Sequence, residues 1–345
     1  PPSDRARRPP RASPEHQDPQ PRGRSNESAP TSEATVRYSP QTTSRMRPGY
    51  GHGVVDMADD APPPDLLALI RRGLSRVFAD PTYRPPLLPQ VAMEVLELSR
   101  AAKPSSETMV RTIESSPMLA SRVLQVARSP RYASSRPPAG LRQALVRMGR
   151  EGLTNLVLEV ALSSTVFKSR RYGRAMNAVR QQSLAIAQAA RPIARAARVP
   201  TGTAFLAGLL QDVGSAGCLL VLAERGRDAA PLDVDVAMEA VETVAPAATH
   251  AMLKIWTMPR PVIEACGRNP TSPKIEDIRR VLLLSRAAVD GLVDSGSDRW
   301  TPGGPPPNRL DVRRALGHFK LDTSTWAPLR ERARDAAAAV VGAEG

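Results

Sequence analysis

The stretch from Ala204 to Ala223 is the longest apolar run in the chain and approaches the length that crosses a bilayer. It carries Gln211 and Asp212 near its middle and glycines at 208, 214 and 217. An acid at the bilayer centre costs about 2.5–3.5 kcal/mol on insertion scales, and clustered glycine favours a turn. The run therefore reads as two buried helical segments joined by a bend, with no membrane partner. The rest of the core has to suit such segments. Apolar residues make up 41 % of the chain but aromatics only 3 %. A core built from Ala, Leu, Val, Ile and Met points to packed helices rather than a β-sandwich or barrel, and it leaves few rings on which nucleic-acid bases could stack.

Residues 1–64 are rich in Pro, Ser and Arg and lack apolar periodicity. Such a segment cannot bury enough surface to offset its ordering entropy, so a disordered tail is expected. Met57-Ala-Asp-Asp-Ala looks like an ordinary N-terminus, which makes residues 1–56 either a flexible tail or an over-extended gene start. From Asp65 on, apolar residues recur at helical spacing. Helices are expected over Leu66–Phe78 with Asp65 as cap, over Val91–Leu98, after Ser105, and after Ser116-Pro117. Leu141–Met148 and Leu153–Phe167 follow, separated by Gly149 and Gly152. Met176–Ala197 is a long helix that Pro192 should kink or split. Further helices are expected over Val234–Val244, Ala247–Trp256, Pro261–Cys266, Ile275–Val293, Val312–Phe319 and Trp326–Val341. No strand series and no internal repeat is visible. The expectation is an all-α bundle over 65–294, with 295–345 a linker and helices packing on it; Pro302–Pro307 reads as Pro/Gly linker.

The charge balance is basic, 48 Lys+Arg against 34 Asp+Glu, a net +14. Only five of the 48 are Lys, whereas nucleic-acid binders draw on both types, so the excess is a weak hint of an anionic partner. Cys218 and Cys266 are too few for a disulfide framework or a multi-cysteine zinc site. Both lie among apolar neighbours and read as small core residues. The first sixty residues contain no apolar signal core, and a reducing, cytoplasmic compartment is the natural setting.

Several stretches, in order, carry a resemblance. They are Leu87-Leu88-Pro89-Gln90-Val91-Ala92, then Ile113 through Leu124 with its Ser116-Pro117-Met118-Leu119, then Ala144-Leu145-Val146-Arg147-Met148-Gly149. Ala204-Phe205-Leu206-Ala207-Gly208-Leu209-Leu210-Gln211-Asp212-Val213-Gly214 is the most specific, and His250 through Trp256-Thr257-Met258-Pro259 closes the series. Over about residues 85–290 the chain resembles the HDOD family, non-catalytic relatives of the HD-domain phosphohydrolases. The resemblance implies an HD-like helical bundle and a role in signal transduction by binding rather than turnover.

Matched to the metal ligands of HD hydrolases, the early His position falls at about Gln182, the His-Asp pair at Gln211-Asp212, the later histidines near Arg268-Asn269, and the late Asp near Ser285-Arg286. Only Asp212 and His250 remain as ligand types, and catalytic sites need about three protein ligands. His16 and His52 lie in the tail and His318 beyond the matched region, so no metal or other cofactor is expected. The local alternatives are plain: Asp212 as a carboxylate capping the Val213-Gly214 turn, His250 as a satisfied helix histidine, or the two joined by a hydrogen bond. Arg191, Arg195 and Arg198 fall on one helical face. That face is either solvated or a seat for an anion. No phosphate-binding glycine loop is present. The chain thus reads as a regulatory protein taking a protein or small signalling ligand. A metal-dependent phosphohydrolase acting on nucleotides or cyclic dinucleotides, and a nucleic-acid binder using the arginines, are the alternatives.

Overall fold

Helical periodicity becomes thirteen helices in the computed structural model, which describes residues 64–101, 105–129, 137–225, 232–267 and 272–341. No strand occurs among the described residues. The expected tail lies outside them as far as residue 63, and so does the candidate start at Met57. The described residues all fall within the unit Asp59–Gly345.

The N-terminal helices are α1 (Pro64–Ala79), α2 (Gln90–Arg100), α3 (Ser106–Glu114), α4 (Pro117–Ala127) and α5 (Leu141–Thr165). Ser105 caps α3 as its sequence position suggests, its hydroxyl accepting from Thr108 N at 3.2 Å. Pro117 opens α4, where its missing N–H costs nothing. α5 has two arms that meet at Gly149, which takes φ +71, a left-handed conformation open to glycine.

The centre of the bundle is α6 (Gly173–Ala197), α7 (Thr201–Leu210), α8 (Val213–Arg225) and α9 (Val234–Ile255). The apolar run thus forms two buried helices with a bend at Gln211-Asp212. The most apolar 18-residue window of Thr201–Glu224 has mean hydropathy 1.7, and 78 % of it is buried inside the fold. α7 packs on α6 and α8 on α9. Contact there is made by backbone as much as by side chains: a Cβ added at Gly208 would stand 2.9 Å from Ala187 Cα, and one at Gly214 would strike Ala245 O.

One helix expectation needs correction: the pair of helices expected around Pro246 is the single helix α9. α6 runs unsplit through Pro192. Pro246 withdraws one ladder bond, the one to the carbonyl four residues back. Val244, Ala245, Ala248 and Thr249 are buried on either side of it, and their packing outweighs that loss.

After α10 (Arg260–Cys266) and α11 (Pro273–Val289) the chain crosses an extended strap to α12 (Arg309–His318) and α13 (Thr323–Val341). Both α11 and α13 pack on α6. Trp256, at the end of α9, donates its indole N–H to Pro86 O at 3.1 Å and ties the centre to the segment before α2.

Candidate functional site

Gln211 and Asp212 make the bend between α7 and α8. A helix that starts here has amides to satisfy, and the residue that satisfies one is not Asp212. Thr249 reaches in from α9: its Oγ1 accepts from Gly214 N at 3.0 Å and donates to Gln211 O at 3.0 Å. The expected capping role of the Asp212 carboxylate is therefore corrected. Asp212 contributes its main-chain carbonyl, which accepts from Ser215 N at 3.0 Å, while its side chain turns toward a cavity.

That cavity, about 790 Å³, lies between the bend, α9 and α11. Gln211, Asp212 and Ser215 line one side, Met238, Val241 and Glu242 of α9 another, and Arg279, Leu282 and Arg286 of α11 a third. Trp300, packed into the core, and the strap Thr301–Pro307 form the last wall. The Thr301-Pro302-Gly303-Gly304 sequence has the Pro-Gly signature of a type II turn. Gly303 takes φ +77, and Gly304 N donates to Thr301 O at 2.9 Å. Arg286 fastens the strap: its Nη2 donates to the carbonyl of Gly303 and, at 3.1 Å each, to those of Gly304 and Pro305. Gly303 lies so close over the bend that a Cβ there would stand 3.1 Å from Asp212 Oδ2.

Burial pushes the Asp212 carboxyl up to about 6, and the positive charge of Arg286 only partly opposes this. Burial likewise raises the Cys266 thiol to about 12, with the charge of Asp212 adding to the effect. Its Sγ donates to Ala207 O at 3.5 Å. Burial also raises Cys218, which is fully buried on α8; in both thiols it disfavours the thiolate form that nucleophilic attack needs. Three polar atoms around the strap are sealed from solvent with no hydrogen-bond partner: Gln211 Nε2, Asp212 Oδ2 and Trp300 Nε1. A buried group left in that state costs about 1–3 kcal/mol.

The remaining candidates do not assemble into a metal centre. His250 of α9 is half-buried, its Nδ1 has no partner, and no hydrogen bond joins it to Asp212. Gln182 is buried on α6 and is not among the cavity walls. Ser285, at the late ligand position, is fully buried and donates to Val281 O at 2.7 Å within its own helix. Arg268 and Asn269 lie outside the described residues. Among the described residues no three His, Cys, Asp or Glu side chains are grouped to hold a metal ion. The site does not fit an HD-type metal, because Arg286 brings a positive charge close to the surviving carboxylate.

The arginine face also differs from its sequence picture. Arg191 lies half-buried with its guanidinium 4.2 Å from the centre of the Phe205 ring, a cation–π contact between α6 and α7. Arg195 is exposed. Arg198 is no longer on the helix: it is the left-handed C-cap, φ 56. The residues that sequence reasoning missed are Thr249 and Trp300; Arg286 was placed at the late ligand position, but its hold on the strap was not foreseen. The Pro-Gly-Gly turn signature was a signal for an ordered strap, but nothing local shows where a strap will lie.

An all-helical bundle with this bend and cavity defines an HD-like domain. The HDOD domain matches residues 86–270, and the chain belongs to that family. Curated proteins give no match. Among the crystal structures that share the fold are the following three. One from Shewanella amazonensis SB2B, named "Putative metal-dependent phosphohydrolase", superposes with TM-score 0.57 at 18 % identity, over 79 % of this chain and 99 % of its own. One from Marinobacter aquaeolei VT8, named "Putative signal transduction protein", gives 0.56 at 20 % over 80 % and 66 %. An HDOD domain protein with unknown function from Geobacter sulfurreducens gives 0.53 at 19 % over 78 % and 99 %.

Proposed function

We propose that this HDOD chain is a cytoplasmic regulatory protein of signal transduction, which works by binding a small ligand or a protein partner at its degenerate HD site and does not hydrolyse through a metal there. The observation that carries the reading is the placement of Arg286. Next to the late ligand position, where hydrolases use an acid, a guanidinium acts on Asp212 and holds the strap beside it. A fixed cation with five donors suits binding and opposes a divalent ion. The name of the Marinobacter neighbour supports the same reading.

The name of the Shewanella neighbour favours the second reading, metal-dependent hydrolysis. Elemental analysis of the purified full chain, with turnover assays on nucleotides and cyclic dinucleotides, decides between them. The binding reading expects no stoichiometric Fe, Mn or Zn and no metal-stimulated turnover. About one tightly held metal per chain, lost on Asp212→Ala together with His250→Ala, overturns it.

A further inference from the structure

The cavity is walled by the chain's own strap, and in that state Gln211 Nε2, Asp212 Oδ2 and Trp300 Nε1 are left without partners. Asp212 is 9 % exposed and Trp300 8 %. Folded proteins seldom leave buried polar groups unmatched, so a molecule that supplies the missing partners competes well with the strap. Two of the three atoms belong to N–H donors, and the third is a carboxylate oxygen that accepts. Their complement is an edge with two acceptors and one donor. Met238, Val241 and Leu282 add apolar wall, which suits a compact ring. The strap's turn is closed internally by Gly304 N to Thr301 O and by Thr301 Oγ1 to Gly304 O, at 2.9 and 2.8 Å. Arg286 supplies three hydrogen bonds that tie it to the bundle.

Building on the reading of this cavity as a ligand site, we propose that it takes an uncharged ring bearing an imide edge, N–H between two C=O groups, and that this ligand enters by displacing the Thr301–Pro307 strap from the Arg286 clamp. The N–H meets Asp212 Oδ2, and the carbonyls meet the Gln211 amide and the Trp300 indole. Ligand and strap are alternatives, so loosening the strap strengthens binding.

Glutarimide and N-methylglutarimide are the probes, since the second keeps the ring and both carbonyls but has lost the donor. The readout is the indole N–H signals of the ¹⁵N-labelled full chain, in which Trp300 is assigned by its loss in Trp300→Phe. Glutarimide should shift the Trp300 signal saturably, and the N-methyl compound should bind at least tenfold more weakly. Arg286→Gln should bind glutarimide several-fold more tightly than the parent chain. Gly303→Ala repeats that test if Arg286→Gln fails to fold, because its Cβ meets Asp212 at a positive φ. Equal binding of the two probes overturns the imide edge. An unmoved Trp300 signal, or no gain in the loosened variants, overturns strap displacement. No binding of glutarimide to any of these chains overturns the whole proposal, while the regulatory reading stands or falls separately on the metal and turnover measurements.

Discussion

Thr249 and Gly214 belong to different helices, yet the Thr249 hydroxyl accepts a hydrogen bond from the Gly214 amide at 3.0 Å and donates one to Gln211 O at the same distance. One side chain thus finishes the end of α7 and the start of α8. Replacing it with the isosteric Val leaves a buried amide and a buried carbonyl unmatched, at about 1–3 kcal/mol each. Thr249→Val should lower stability by at least ~2 kcal/mol in urea unfolding, and Thr249→Ser should recover most of it. A Val variant within ~0.5 kcal/mol of the parent would show that the turn does not depend on this cap.

Asp212 gives a pH dependence of fixed sign. Its folded-state value of about 6 lies above its ordinary 3.8, so the folded chain holds this proton more tightly than the unfolded chain does. The associated stability is complete below about pH 3.8 and is lost as pH rises through about 6. Asn at 212 cannot ionise. The stability of Asp212→Asn relative to the parent should therefore climb between pH 4 and 6 and level off above, by on the order of 3 kcal/mol in all. A difference that stays flat across that window would mean that the carboxyl is hydrated.

Gly208 and Gly140 offer a paired test of close packing. A Cβ at 208 would press on Ala187 Cα at 2.9 Å, whereas one at 140 meets nothing within 4 Å. Gly208→Ala should cost about 1–3 kcal/mol, as overpacked cores do, and Gly140→Ala should change the melting temperature little. Equal effects would contradict the tight α6–α7 seam.

Among the arginines, Arg191 and Arg195 should separate. Arg191 stacks on Phe205, and Arg191→Ala should lower stability by about 1 kcal/mol. Arg195→Ala, at an exposed position, should stay within ~0.5 kcal/mol. Salt-sensitive loss of binding to an anionic partner in the Arg195→Ala chain, with its melting temperature unchanged, would restore this face as a functional surface.

Local physics made much of this molecule legible. Helical spacing, the Ser105 cap, the break at Gly149 and the bend at Gln211-Asp212 each depend on residues a few positions apart, and each stands in the structure as the sequence implies. Pro246 misled because its cost is local while the compensation, the burial of Val244, Ala245, Ala248 and Thr249, is tertiary. The site was legible only in part. The partners that shape the cavity come from far along the chain: Thr249 to Gly214, Arg286 to the strap, Gly303 to Asp212. The contact of Arg191 with Phe205 belongs to the same class, and so does the departure of Arg198 from its helix.

The seam where Gly208 rests on Ala187 and Gly214 on Ala245 has a consequence for how such a chain can change over time. A core that gains its density from large side chains can trade one shape for another, a Leu for a Met or a Phe for a Leu. Here main chain lies against main chain, and every substitution at those glycines is an enlargement with nowhere to go. Diversification is pushed outward, to the connections that cross the bundle surface, where residues can be inserted or exchanged without reopening the seam. The strap between α11 and α12 is one such connection, and it runs over Asp212 in the bend.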